Sequence, residues 1–127
     1  MSRLIITTLL LVGIALPYAA IAADTLSVLK AQRYMRIHHN ALLLDVRKPS
    51  EYAGGHLVNA RNLSYNDAHF ADSLAALNRT TPVVVYCATG RRSAKTLRLL
   101  DSLGFRTAYH VRGGIVAWQA AKLPTTR

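Results

Sequence analysis

The stretch CATGRRS, from Cys87 to Ser93, combines the side chains of this chain that are best suited to covalent chemistry. Cys87 is the only cysteine among the 127 residues, so no intramolecular disulfide can form. Nearby positive charge or a helix N-terminus lowers the pKa of a thiol from about 8.5 to between about 3.5 and 7.5, which makes a nucleophilic thiolate. Arg91 and Arg92 supply fixed charge and forked donors that suit an oxyanion. The stretch therefore predicts a reactive thiol beside an anion-binding loop.

The segments on either side of this loop predict how it is held. The apolar run Val83–Cys87 is typical of a buried strand, and near-helical spacing of apolar residues over Arg92–Leu103 predicts a helix that ends at Gly104. Cys87 then lies at the carboxyl end of a strand, where open α/β sheets bind their ligands. The helix directs its free amides and positive dipole end at the loop, and Gly90 allows successive amides to face inward.

The alternative is that Cys87 packs in the core as a small apolar residue, as free cysteines often do. Two arginines close to a core position would be costly to bury. A lone thiol of this kind is expected to be either buried and inert or exposed and reactive, and the neighbouring Gly-Arg-Arg sequence favours the second.

The rest of the chain predicts an α/β domain. At 127 residues the chain has the length of one domain, and short apolar runs alternate with amphipathic segments. Strands are predicted near residues 41–46, 60–63, 83–87 and 107–110, and helices over 24–39, 49–54, 66–77, 92–103 and 114–122. This alternation predicts a mostly parallel central sheet of about five short strands flanked by helices.

The first 23 residues resemble a secretory signal peptide. Arg3 precedes an apolar segment, Leu4–Leu16, which is followed by Pro17 and then by small residues. Cleavage is expected after Ala22 or Ala23, leaving a domain over residues 24–127 in an exported compartment, the periplasm of a bacterium. The alternative is an uncleaved segment that anchors the protein to the membrane. After cleavage no stable membrane association is expected.

The chain is strongly basic, with a formal charge of +10 that falls to +9 without Arg3. An exported protein is not expected to bind nucleic acid, so this charge favours small anions or an anionic membrane surface. A basic face that only keeps the protein soluble explains many of these residues equally well.

Three separated segments resemble single-domain rhodaneses, the thiosulfate sulfurtransferases, including small periplasmic members. CATGRRS resembles their CxxGxR active-site loop. LLLDVRKPSEYAGGHLVNARNL resembles their Asp-x-Arg, Glu-Tyr, Gly-His and Ala-x-Asn markers, and VRGGIVAWQAAKLP resembles their closing Gly-Gly, Trp and Leu-Pro segment. The resemblance covers nearly all of the chain beyond residue 23.

The resemblance implies that Cys87 takes the outer sulfur of thiosulfate as a persulfide and passes it to cyanide in an assay or to a thiol in the cell. Backbone amides of the loop would stabilise the persulfide, and two arginines would orient the sulfonate. The implied substrate-binding residues are Ala88, Thr89, Gly90, Arg91, Arg92 and Ser93. No metal or organic cofactor is implied.

Two other functions are compared with thiosulfate sulfur transfer: a phosphatase, which differs in the length of the loop, and a persulfide carrier, which differs in its acceptor. Phosphatases that resemble this site have an arginine six positions after the cysteine, whereas here that position is Ser93 and Arg92 is five positions after Cys87. The shorter loop favours sulfur over a phosphoryl group. The second alternative is a persulfide carrier that delivers sulfur to a protein partner.

Other polar residues are expected to have supporting roles. Arg47 and Glu51 are four residues apart and are expected to pair, and with Asp45 they would brace the loop. None of the histidines shows a metal-ligand spacing, and all are expected to be structural or exposed: His38, His39, His56, His69 and His110.

Overall fold

Strands and helices alternate along residues 24–127, the part of the chain that the computed structural model describes. The strands are β1 Thr25–Leu26, β2 Leu42–Asp45, β3 His56–Leu57, β4 Arg61–Asn62, β5 Val83–Tyr86, β6 Ala108–Val111 and β7 Thr125–Thr126. The helices are α1 Val28–Ile37, α2 Pro49–Ala53, α3 Phe70–Ala75, α4 Arg91–Ser102 and α5 Gly114–Ala120. The predicted signal peptide and its cleavage site lie outside these residues. Within residues 24–127, no helix is long and apolar enough to cross a membrane.

Five of the strands form a parallel sheet in the order β1-β6-β5-β2-β4. The central strand β5 is fully buried, as expected for an apolar run covered on both faces. The remaining two strands, β3 and β7, form a small antiparallel ribbon. The predicted α/β fold, with a mostly parallel sheet of about five short strands, is confirmed.

Alternating side chains of the central strands pack into two separate cores. Leu43, Val84 and Tyr86 face α1 and α5, together with Ala31, Ile115 and Trp118. Leu44, Val83 and Val85 face α3 and α4, together with Leu74 and Leu100. Because side chains alternate along a strand, Cys87 continues the second series and lies on the α4 side of the sheet.

Two predicted helices are shorter than expected by six residues each. The first helix does not begin at Asp24 or Thr25, because Thr25–Leu26 pairs with β6 and the Ser27 side chain caps the helix by accepting a hydrogen bond from the Lys30 amide. The helix predicted over residues 66–77 is reduced to Phe70–Ala75.

Candidate active site

The Cys87 thiol lies where β5 ends and the loop to α4 begins. Its side chain is only 1% exposed, although polar groups surround its sulfur. Gly90 has a left-handed backbone conformation with φ of 106°, which residues with a side chain rarely adopt, and it precedes the first residue of α4. The expected exposure of the thiol is therefore wrong, whereas its reactivity stays a prediction.

Two backbone amides donate to the sulfur of Cys87, and its thiol donates to a neighbouring hydroxyl oxygen. The amide nitrogen of Gly90 is 3.1 Å from Sγ, the amide nitrogen of Ser93 is 3.4 Å away, and the Ser93 hydroxyl oxygen is 3.6 Å away. Burial by itself would raise the pKa of the thiol. Hydrogen bonds with the Ser93 hydroxyl and with the backbone of Ser93, Gly90 and Thr89 outweigh it, so the pKa of Cys87 is lowered from its ordinary value. The loop thus favours the thiolate.

The N-terminus of α5 holds the loop in this orientation. The Ile115 amide donates to the Cys87 carbonyl at 2.9 Å, and the Val116 amide donates to the Ala88 carbonyl at 3.1 Å. Gly114 lies so close that a Cβ at this position would be 2.3 Å from the Cys87 carbonyl oxygen. These bonds hold the loop with the Cys87 and Ala88 carbonyls directed at α5. The amides of Gly90 and Ser93 can then point at the sulfur.

Arg92 forms an ion pair with Glu51 at the other side of the loop. Its two terminal nitrogens donate to the Glu51 carboxylate at 2.9 Å and 3.2 Å, and the Lys48 amide donates to the same carboxylate at 2.8 Å. The hydrogen bond from Arg92 lowers the pKa of Glu51 to about 2, despite partial burial. The pKa of Arg92 is raised, first by the hydrogen bond to Glu51 and to a smaller extent by the negative charge of the Cys87 thiolate.

The expected pair between Arg47 and Glu51 is wrong. Arg47 instead bonds to the buried Asp45, with contacts of 2.7 Å and 3.1 Å, and to the Gly55 carbonyl at 2.7 Å. The Tyr86 hydroxyl donates to Asp45 at 2.6 Å. A spacing of four residues predicts a pair only on a continuous helix, and Arg47 precedes the first residue of α2.

The ion pair between Asp45 and Arg47 lies at the end of β2, where this strand is bonded to β4. The Asn62 side chain donates to the carbonyls of Asp45 and Arg47, both at 2.9 Å, so β4 is tied to the end of β2. Burial and then the hydrogen bond to Asp45 raise the pKa of Tyr86, which keeps its hydroxyl protonated. These residues make none of the hydrogen bonds to the Cys87 sulfur, so their supporting role stays a prediction.

Arg91 occupies a different position from Arg92. It is exposed, it makes none of the hydrogen bonds to Sγ, and it lines a surface pocket together with Thr89 and Gly90. The two arginines predicted to act together are thus separated. Arg92 is paired with Glu51, and Arg91 lies on the outer side of the loop.

His110 is a site residue that the sequence prediction missed. Its Nδ1 is 3.2 Å from the Ser93 hydroxyl, and its Nε2 is 3.0 Å from the Thr25 hydroxyl. Burial, and then the charge of Arg112, lower the pKa of His110, so its imidazole is neutral near pH 7. The sequence could have indicated this role, because His110 lies near the carboxyl end of a predicted strand and parallel strands bring their carboxyl ends together. That strand, β6, is next to β5 in the sheet.

The other histidines do not contribute to the site. His56 stacks on Tyr52, with ring centroids 3.7 Å apart, and bonds to the Tyr52 carbonyl, as expected for a local contact. Within residues 24–127, no group of three or more His, Cys, Asp or Glu side chains is arranged to hold a metal ion.

Comparison with known proteins agrees with this geometry. The family model described as a rhodanese-like domain matches residues 29–121. A rhodanese-related protein of Thermoplasma volcanium has a similar crystal structure, with a TM-score of 0.72, 26% identity, and coverage of 81% of this chain and 97% of that chain.

Two relatives are named as sulfurtransferases. Thiosulfate sulfurtransferase GlpE of Pseudomonas putida is 31% identical over 68% of this chain and 76% of its own length. The probable adenylyltransferase/sulfurtransferase MoeZ of Mycobacterium tuberculosis is 38% identical over 65% of this chain, and the match spans only 21% of MoeZ. Since the family model matches most of the chain, this protein belongs to the family of rhodanese-like domains.

Proposed function

We propose that this protein is a sulfurtransferase that carries sulfane sulfur as a persulfide on Cys87. The observation that carries the proposal is the convergence of the Gly90 amide, the Ser93 amide and the Ser93 hydroxyl on one thiol of lowered pKa. These donors stabilise a thiolate before the reaction and can do the same for the terminal anionic sulfur of a persulfide. GlpE and MoeZ are named for the same general chemistry.

The proposed donor is thiosulfate, the substrate in the name of GlpE. The Cys87 thiolate attacks the outer sulfur, a bond forms between the two sulfurs, and the sulfur–sulfur bond of thiosulfate breaks. Sulfite leaves with the bonding electrons. The positive charge of Arg92 attracts the dianion and stabilises the charge on the departing sulfite.

An acceptor completes the cycle without any net change in the enzyme. Cyanide or a thiolate attacks the outer sulfur of the persulfide, and Cys87 leaves as the thiolate that its donors already stabilise. Because Cys87 is 1% exposed, the neighbouring side chains must shift slightly before either substrate reaches its sulfur.

The geometry of the loop favours sulfur over phosphoryl transfer. Ser93, six positions after Cys87, is buried and bonded to the sulfur, and Arg92, five positions after it, is paired with Glu51. No arginine is thus available at the position that the related phosphatase loop requires. A persulfide carrier that serves a protein partner is the second candidate, because Arg91 is exposed beside the loop, where it can contact an acidic partner.

The proposed location is the periplasm, reached through cleavage of residues 1–23 after Ala22 or Ala23. Expression of the full chain in a bacterium, followed by fractionation and N-terminal sequencing, tests this. A mature N-terminus near Asp24 in the periplasmic fraction supports export, and an intact N-terminus in the membrane fraction supports the anchored alternative.

The chemistry is tested by assaying the protein and its Cys87→Ser variant with thiosulfate and cyanide. The unaltered protein should release thiocyanate and, with thiosulfate alone, should gain the mass of one sulfur atom. The variant should do neither while keeping its circular dichroism spectrum. Turnover of an aryl phosphate without any thiocyanate would overturn the proposal, and stable sulfur loading with negligible turnover to cyanide or small thiols would favour the carrier.

A further inference from the structure

A basic pocket of about 390 Å³ lies on the outer side of the active-site loop. Its wall includes Arg91, Lys95, Arg98, Arg112 and His110 and contains no carboxylate side chain. Among residues 24–127, the ion pairs are made by Arg47, His69 and Arg92, so none of the four lysine and arginine side chains of this pocket has an acidic partner there.

The convergence of these charges follows from two elements. Arg91, Lys95 and Arg98 recur at helical spacing on one face of α4, and Arg112 follows β6 on the opposite wall. Like charges at these spacings repel one another and lower the stability of the helix. An anion in the pocket would relieve the repulsion, and one that carries two or more charges would do so best.

The pocket and the thiol share parts of their walls. Gly90 lines the pocket, and its amide bonds to the Cys87 sulfur. His110 lines the pocket and contacts the Ser93 hydroxyl, which in turn contacts the sulfur. A molecule held there would thus contact Gly90, which bonds to the sulfur, and His110, which is linked to the sulfur through Ser93.

The size of the pocket favours an organic anion over the donor itself. With roughly 30 Å³ for each water-sized group, the pocket has room for about a dozen such groups, and thiosulfate has only five heavy atoms. The volume also falls within the range of small-molecule sites. The remaining substrate of a sulfur transfer is the acceptor.

We propose that this basic pocket binds the anionic part of the sulfur acceptor, a small thiol that carries two or more carboxylates. The inference rests on the proposed function of Cys87. The acceptor thiolate attacks the outer sulfur of the persulfide, forms a new sulfur–sulfur bond and displaces the Cys87 thiolate. No further oxidant or reductant is needed.

The test compares mercaptosuccinate, a thiol with two carboxylates, with uncharged 2-mercaptoethanol. The double variant Lys95→Glu/Arg98→Glu should raise KM for mercaptosuccinate by about tenfold or more, equivalent to about 1.4 kcal/mol, and should leave KM for 2-mercaptoethanol and cyanide within about twofold. Lys30→Glu/Arg33→Glu is the matched control, because it changes the same residue types at the same spacing on exposed positions of α1.

Equal effects of the two double variants would show a general effect of net charge and overturn the proposal. An unchanged KM for mercaptosuccinate in the pocket variant would also overturn it, and would assign the charges to another occupant such as an acidic protein.

Binding of (methylthio)succinate, which has no free thiol, separates failure of the pocket from failure of the chemistry. Amide NMR shifts centred on Lys95 and Arg112 that are lost in the pocket variant support the site even if Cys87 never forms a persulfide. A persulfide on Cys87 without any such shifts would retain the proposed function and overturn the pocket assignment.

Discussion

Glu51 and Arg92, 41 residues apart in the chain, form a two-pronged ion pair that ties α2 to the active-site loop. The contacts of 2.9 Å and 3.2 Å use both terminal nitrogens of the guanidinium. Arg92 is therefore held in one position by Glu51 before any substrate binds. This pair joins two of the sequence segments that resemble rhodaneses.

Replacement of Glu51 by glutamine should remove a pH-dependent part of the stability. The folded-state pKa of Glu51 is about 2, below the value of about 4.3 in an unfolded chain, so the ion pair stabilises the fold above about pH 4.5 and this contribution is lost as the pH falls towards 2. Because both side chains are partly exposed, the loss above pH 5 should be under about 1 kcal/mol.

Denaturant unfolding of the wild type and Glu51→Gln between pH 6 and pH 2.5 measures this difference. Asp72→Asn is the control, since Asp72 is an exposed carboxylate with only a long contact to His69. A stability difference for Glu51→Gln that stays constant down to pH 2.5 would contradict the assigned role.

Replacement of Ser93 by alanine should raise the pKa of Cys87, because it removes the side-chain hydrogen bond that opposes burial most strongly. The rate of thiol alkylation should then rise at higher pH than in the wild type and should be about three- to tenfold slower at pH 7. Ser102→Ala is a matched control near the other end of α4, where the hydroxyl bonds only to the Leu99 carbonyl. An unshifted alkylation profile for Ser93→Ala would show that the Ser93 hydroxyl does not lower the pKa of Cys87.

His110 should act on the thiol through Ser93. Its Nδ1 contacts the Ser93 hydroxyl at 3.2 Å, and the same hydroxyl donates to the Gly90 carbonyl at 3.2 Å, so the imidazole helps to fix the position of the hydroxyl beside the sulfur. His110→Phe should therefore shift the alkylation profile to higher pH by less than Ser93→Ala does. The double variant should match Ser93→Ala alone, and fully additive shifts would show that His110 acts independently.

The amino-acid sequence predicted the elements whose signals are local. The apolar run of β5 and the amphipathic spacing of α4 placed Cys87 at a strand end before a helix, which is where it lies. Glu51 and His110 were misjudged because their partners, Arg92 and Ser93, lie in another element, whereas Arg47 was misjudged because it lies before the helix that the spacing assumed. Such partners follow from the packing of the sheet and have no periodic signal.

Replacement of Gly114 by alanine should displace the active-site loop. The added Cβ would be 2.3 Å from the Cys87 carbonyl oxygen and 2.5 Å from the Ala88 carbonyl oxygen. Sulfur transfer should fall by at least about tenfold, because small displacements of aligned groups are that costly. Gly104→Ala is the control, since Gly104 also has positive φ but has no atom within 4 Å of an added Cβ. It should lose about 1–2 kcal/mol of stability without loss of transfer, and equal activities of the two variants would contradict the role of α5.

Removal of the Asp45 carboxylate should destabilise the fold far more than removal of its tyrosine partner. Asp45→Ala leaves the Arg47 guanidinium, in a residue only 6% exposed, without its ion-pair partner, which should cost about 3–5 kcal/mol. Tyr86→Phe removes a hydrogen bond to a charged group and the acceptor of the Leu57 amide but keeps the ion pair, so it should cost about 1.5–3 kcal/mol. Urea unfolding monitored by circular dichroism gives both values. If both variants lose a similar, small amount of unfolding free energy, the buried ion pair contributes little to stability. Water or another group would then take the place of Asp45 beside Arg47.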